Sequence, residues 1–243
     1  MTLTESTGVL KMELLTSLRS RRDLQTGLEG KIDIFEIEAP VFTREADLKD
    51  VSYYIKKIGK SKKISTTIHL NNIKRDKWES SIKLYLDSGV RIMKLILPRN
   101  INKQEICELT KLIQKIKKKH KEPRVLIKVY VDDSNRYLPL DKSKKLCFTC
   151  GFDGLMIDTH IKKNKKSSLK YVSLQKLDSL IKKLGKSRKI IGVSGSLNKD
   201  DIRLLSRRGI NIIGVTRILC DKNRKNLNLG KIKEVNSILR HRK

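Results

Sequence analysis

The run Gly151 to Lys163, GFDGLMIDTHIKK, closes a short apolar stretch (Leu155, Met156, Ile157) with Asp158 and places Lys162 four residues later. A carboxylate at the tip of a buried strand costs several kcal/mol unless a partner uses it. A lysine in the loop just beyond supplies such a partner and gives the pair acid/base or imine chemistry. Two further lysines lie inside apolar runs, Lys94 between Met93 and Leu95 and Lys128 between Ile127 and Val129. A lysine so placed points into a barrel or between layers, where one without a function is uncommon. Glu36 and Glu38 alternate with Ile37, either as site carboxylates or as rim partners of a lysine-rich surface, and His69 ends another apolar run.

These groups act together only if the chain brings them to one place. Eight short apolar runs recur between turn signals: Met12–Leu18, Ile32–Ile37, Ile64–Leu70, Ile92–Leu97, Val125–Val131, Gly154–Asp158, Lys189–Gly195 and Asn211–Thr216. Helical spacing fills segments between them, as in Trp78–Leu86, Gln104–Ile116, Leu174–Leu184 and Asp200–Arg207. Asn198 suits the N-cap of the last, and Gly89, Gly151 and Gly209 suit helix C′ positions. Strand–helix alternation of this kind predicts parallel pairing, and eight units predict a closed α/β barrel, (β/α)₈ or TIM-type. An open doubly wound sheet is the alternative, and no Gly-rich dinucleotide fingerprint follows any strand to support it. The domain expectation is a flexible tail over residues 1–10 and a barrel over 11–243.

In such a barrel chemistry gathers at the carboxyl ends of the strands. That rule collects Lys94, Lys128, Asp158 and Lys162, with Gly195 and Ser196 after the seventh strand and Arg217 after the eighth. The loops after strands seven and eight commonly cradle phosphate through backbone N–H groups and a helix N-terminus. Position alone therefore suggests a small phosphorylated substrate.

The formal charge of +30 is the unusual total in this 243-residue chain, and 39 lysines against 17 arginines carry it. Lysine runs spread along the chain and only 5% aromatics point to a solvated surface, and they disfavour nucleic acid as a partner. A basic nucleic-acid-associating barrel stays as a minor alternative, and the same field attracts small anions. The CxxC of Cys147 and Cys150 has no second half, so reduced packed thiols are expected and no metal. No apolar run of 18 residues and no signal-like leader appear, which predicts a cytoplasmic protein without a membrane partner. The oligomeric state is left open.

DGLMIDTHIK, GVSGSL (Gly192–Leu197), NIIGV (Asn211–Val215), Cys220 and GKIK (Gly230–Lys233) together resemble the (5-formylfuran-3-yl)methyl phosphate synthases of methanofuran biosynthesis. The resemblance is strong over about Leu146–Leu239 and looser over Met12–Arg136, where Lys94, Asp132 and Arg136 still match. It implies a barrel lyase that condenses two molecules of glyceraldehyde 3-phosphate, losing phosphate and water, with no cofactor. By the same resemblance Lys94 is a proton acceptor, and Asp158 and Lys162 are site residues for aldol and dehydration steps.

One departure bears on mechanism. The family carries its Schiff-base lysine near the end of strand two, in an Asp-x-Lys-Asn-Pro pattern. Here that segment reads Glu36-Ile37-Glu38-Ala39-Pro40, with Glu38 at the lysine position. A carboxylate forms no imine, so Glu38 can serve only as a base or a cation's partner, and an imine route must use Lys94 or Lys162. The alternative is a divergent homologue that binds a phosphorylated metabolite with weak or no catalysis.

Overall fold

A computed structural model describes residues 12–18, 20–37, 53–59, 62–119, 123–161, 166–223 and 226–240. The eight expected strands form β1 (Glu13–Leu18), β2 (Ile34–Ile37), β3 (Lys63–His69), β4 (Ile92–Ile96), β5 (Arg124–Tyr130), β6 (Gly154–Asp158), β7 (Ile190–Val193) and β8 (Ile212–Gly214). Each pairs in parallel with the next, and β8 pairs with β1, which closes the barrel and leaves no free edge. The expected tail lies outside the described residues.

Helices cover the barrel: α1 (Arg21–Glu29), a helical segment at 53–58 (α2), α3 (Trp78–Asp87), α4 (Lys103–Lys119), α5 (Leu140–Thr149), α6 (Leu174–Lys186), α7 (Lys199–Ser206) and α8 (Leu229–Arg240). Caps set their limits. Ser20 and Ser173 accept from the third residue of α1 and α6, and Asn198 and Asp201 form a reciprocal capping box on α7. Gly89 and Gly151 follow the C-caps of α3 and α5 with positive φ, as expected. Gly209 (φ 75°) stands one residue further out, because Arg207 is the C-cap of α7.

Side chains alternate across each strand, and this period of two sorts the core. Outward positions such as Phe35, Met93, Leu95, Ile127, Leu155, Ile157 and Ile213 are buried with helix residues including Leu109, Ile113, Leu177, Ile202 and Ile232. Inward positions Leu15, Ile34, Ile92, Leu126, Met156, Ile190 and Ile212 pack on one another to plug the barrel. Burying each such aliphatic chain contributes roughly 1.5–3 kcal/mol. Met156 needs space that β7 supplies: a Cβ on Gly192 would lie 2.2 Å from its Sδ.

β7 and β8 are shorter than their apolar runs. After Val193 the chain turns through Gly195 (φ 93°) and Ser196 (φ 53°), conformations that end strand pairing. No helix among the described residues is long and apolar enough to cross a membrane.

Candidate active site

Two residues beyond the apolar plug, the same inward positions become polar: Ser17 on β1, Glu36 on β2, Lys94 on β4, Lys128 on β5 and Asp158 on β6. Thr67, on the inward face of β3, joins them. The tier lies toward the carboxyl ends of the strands. Its charged members are almost completely enclosed, with exposures of 5% for Glu36, 1% for Lys94, 7% for Lys128 and 5% for Asp158.

They form one connected network. Lys94 Nζ donates to Glu36 Oε1 at 2.5 Å, and Thr67 Oγ1 donates to the same oxygen at 2.7 Å. Ser17 Oγ lies 3.5 Å from Glu36 Oε2. Lys128 Nζ stands 2.8 Å from Asp158 Oδ2 and 3.8 Å from Glu36 Oε1, so it links the two carboxylates. Asp158 Oδ1 accepts the Thr159 N–H at 2.7 Å. Lys94 and Asp158 thus share one end of the barrel.

The electrostatics divide the two lysines. Burial opposes every charge in the tier. Glu36 nevertheless stays ionised well below the ordinary carboxylate range, because Lys94 and Lys128 together outweigh its desolvation. Lys94 falls below its ordinary value: burial dominates and the Lys128 cation adds to it, with Glu36 opposing. Lys128 is also penalised by burial, but Asp158 and Glu36 hold its pKa well above the ordinary value. The arrangement makes Lys94 the less basic of the two amines and Lys128 a fixed cation.

The β7 loop closes over the tip of β6. A Cβ on Gly195 would lie 2.6 Å from Thr159 N and 3.1 Å from Asp158 Oδ1, so only glycine allows this approach. Ser168 N donates to Gly195 O at 2.9 Å and ties the loop after β6 to it. Arg217 opens the 3₁₀ turn Arg217–Leu219 after β8, and Thr216 Oγ1 accepts from Ser17 N at 3.1 Å. The first turn of α7 carries Asp200 and Asp201, and its capping box engages the Asp201 amide. Lys162 and Glu38 lie outside the described residues.

His69 ends β3, and its ring centroid lies 6.2 Å from Tyr130 and 6.5 Å from Tyr137. Burial and the Lys128 and His160 charges push its pKa down to about 4. Cys147 and Cys150 are buried free thiols, and burial raises Cys147 to about 11. Among the described residues no group of three or more His, Cys, Asp or Glu side chains is arranged to hold a metal ion.

Several site groups escape a reading of single residues. Thr67 and Ser17 look like ordinary strand residues, and only the two-residue period places them beside Glu36. The same period sets Lys128 level with Lys94, since each lies two residues past an inward apolar position (Leu126 and Ile92). Tyr137 sits in a turn with no periodic signal at all.

Solved structures of similar shape share little sequence with this chain, and they bear on the fold alone. 3-Hexulose-6-phosphate synthase from Salmonella typhimurium superposes with a TM-score of 0.70 at 15% identity, covering 96% of this chain and all of that one. KGPDC from Streptococcus mutans gives 0.64 at 14% identity over 94% of this chain and 98% of its own. Phosphoribosylanthranilate isomerase from Thermotoga maritima gives 0.60 at 12% identity over 94% and 98%. No curated protein matches the sequence. The sequence pattern of the 4-HFC-P synthases, in contrast, runs through residues 14–236, from β1 into α8. With nearly the whole barrel so matched, the chain belongs to the 4-HFC-P synthase family.

Proposed function

We propose that this protein is a lyase condensing two molecules of glyceraldehyde 3-phosphate into (5-formylfuran-3-yl)methyl phosphate, with Lys94 as the amine that activates the first aldehyde. The observation that carries the reading is the buried Glu36–Lys94–Lys128–Asp158 network on the carboxyl side of a barrel of this family. An imine requires an unprotonated amine, and desolvation of Lys94 next to a second cation moves its pKa in that direction. The amine adds to the aldehyde carbon, water leaves, and later hydrolysis returns the lysine. Lys128 pairs with Asp158 and aims it, so that the carboxylate can take the proton next to the iminium carbon. Gly195 and Ser196, through loop amides, and Arg217, through its guanidinium, hold the phosphate. The family resemblance adds Lys162 and Glu38, which follow β6 and β2 in the sequence, as further candidate residues.

Glu38, at the position where the family carries its Schiff-base lysine, favours one second reading: a homologue that binds a phosphorylated metabolite with little or no turnover. Incubation with glyceraldehyde 3-phosphate, followed by borohydride reduction and mass spectrometry, separates the two. A reduced adduct on the Lys94 peptide together with a furan absorbance supports the lyase. Substrate binding with neither signal leaves the binding protein.

A further inference from the structure

The two-residue period continues one step above the charged tier. Ile96 follows Lys94, Tyr130 follows Lys128, His160 follows Asp158 and His69 follows Thr67. Two residues advance a strand by roughly 6.6 Å, so this second tier lies about that far toward solvent. It is mostly aromatic. Tyr137, from the turn after β5, packs with Ile96 and Tyr130. Its ring lies 4.9 Å from Tyr130 and 5.1 Å from His160, and Tyr130 lies 5.0 Å from His160.

Within that tier three titratable groups stand in line. Asp133 Oδ2 lies 3.0 Å from His160 Nδ1, and His160 Nε2 lies 3.4 Å from Tyr137 Oη. The frame around them is firm. Asp132 accepts the N–H groups of His160 (2.7 Å) and Ile161 (2.8 Å), which fixes the loop after β6 to the turn after β5. Tyr137 N bonds back to Asp133 O at 3.2 Å, and Leu138 N to Leu97 O at 3.3 Å. Tyr137 is 7% exposed although it sits at the open end of the barrel.

We propose that Asp133, His160 and Tyr137 form a second proton-transfer centre, one tier above the lysines, which protonates the carbonyl oxygen of the second aldehyde as the carbon–carbon bond forms. This rests on the function proposed above. The first aldehyde, joined to Lys94, becomes an enamine after losing a proton to Asp158. Its carbon attacks the carbonyl carbon of the second triose phosphate; the carbon–oxygen π bond breaks, and the oxygen takes the Tyr137 phenol proton. Tyr137 regains a proton from Nε2–H of the His160 imidazolium, while Nδ1–H stays on the ring and donates to Asp133 Oδ2. The enamine ends as an iminium and the second aldehyde as an alcohol, so the proton leaving His160 accounts for the new hydroxyl.

Burial and the Asp133 charge raise Tyr137 above its ordinary value, so it remains a protonated donor. His160 faces Asp133, Tyr137 and Tyr130, and Arg136, 3.9 Å from Asp133, competes for that carboxylate. His69 and Lys128 are the other titratable neighbours of the tier. Tyr137 is the group that meets substrate, while His160 and Asp133 act through it.

The test uses the full chain with glyceraldehyde 3-phosphate, comparing wild type with Tyr137→Phe and His160→Gln. Tyr137→Phe should still give the borohydride-trapped lysine adduct, yet form furan about 100-fold more slowly or worse. The wild-type rate should fall at high pH, and both variants should lose that limb. A Tyr137→Phe protein that makes furan at the wild-type rate, or keeps the limb, overturns the proposal. If Tyr137→Phe fails to fold, His160→Gln decides by the same two readouts. If wild type forms neither adduct nor furan, the lyase reading itself has failed. The proton relay, which rests on that reading, is then overturned with it.

Discussion

Lys94 and Lys128, on adjacent parallel strands, both address the same oxygen of Glu36, at 2.5 Å and 3.8 Å. Glu36 binds its nearer lysine closely, yet that lysine loses basicity while the farther one gains it. The difference comes from Asp158, which lies 2.8 Å from Lys128 and favours its charged form directly. One carboxylate between two amines would leave both ambiguous. The second carboxylate makes Lys128 the more basic of the two.

Glu36→Gln removes the anion between two buried amines. Losing one partner of a buried pair costs about 3–5 kcal/mol, and the folded protein should lose about that much in chemical denaturation. Combining it with Lys94→Met should recover a substantial part, because the uncompensated amine is gone as well. A double variant whose loss equals the sum of the two single losses would show that the groups are not coupled.

Trapping of the aldehyde should map to Lys94 and not to Lys128. The adduct rate should rise with pH to a midpoint below the ordinary lysine value of 10.5, because the neutral amine is the nucleophile and burial favours it. Lys128→Met should not shift the adduct elsewhere, but it should slow the later proton transfers by leaving Asp158 without its cation. An adduct found on the Lys128 peptide would reverse the assignment.

His69 gives a stability signature in mild acid. In the unfolded chain its ring takes up a proton as pH falls below 6.5; in the folded protein it does so only near about 4. Between those values the unfolded state binds more protons, so stability falls as pH falls across the window. His69→Gln should flatten that stretch of the denaturation curve. Equal slopes in variant and wild type would contradict the assignment.

Gly195→Ala should be costly twice over. Its φ of 93° suits glycine, and the added Cβ would press to 2.6 Å from Thr159 N. We expect a loss of about 1–3 kcal/mol and a weaker apparent affinity for phosphorylated ligand, read by thermal unfolding and calorimetry. Gly185→Ala, in open space on α6, serves as the control and should be neutral or slightly stabilising.

The barrel and the groups Lys94 and Asp158 are legible in the sequence because apolar flanks make a lysine or aspartate stand out. Glu36 is visible as a candidate but undecidable, since a rim carboxylate and a buried one share the same neighbours Ile34 and Ile37. Lys128 stands in the same apolar setting as Lys94, and only its 2.8 Å approach to Asp158 gives it a role. Tyr137 and Asp133 are invisible: their positions depend on how one turn folds back onto Leu97 and the loop after β6, and no local spacing encodes that. The end of β7 is overestimated for a related reason, as an apolar run does not announce the positive φ of Gly195 and Ser196.

The lysine–carboxylate tier holds two acids against two bases, so it offers no surplus positive charge to an arriving sugar phosphate whichever form Lys94 adopts. Attraction over distance must then come from the outer coat of the molecule, with its formal +30. Such long-range pull is damped within about 8 Å at physiological ionic strength, whereas contacts inside the sealed tier are barely affected. Added salt should therefore slow capture of the ligand while leaving the chemical steps at their own pace, which makes encounter and reaction separable by ionic strength alone.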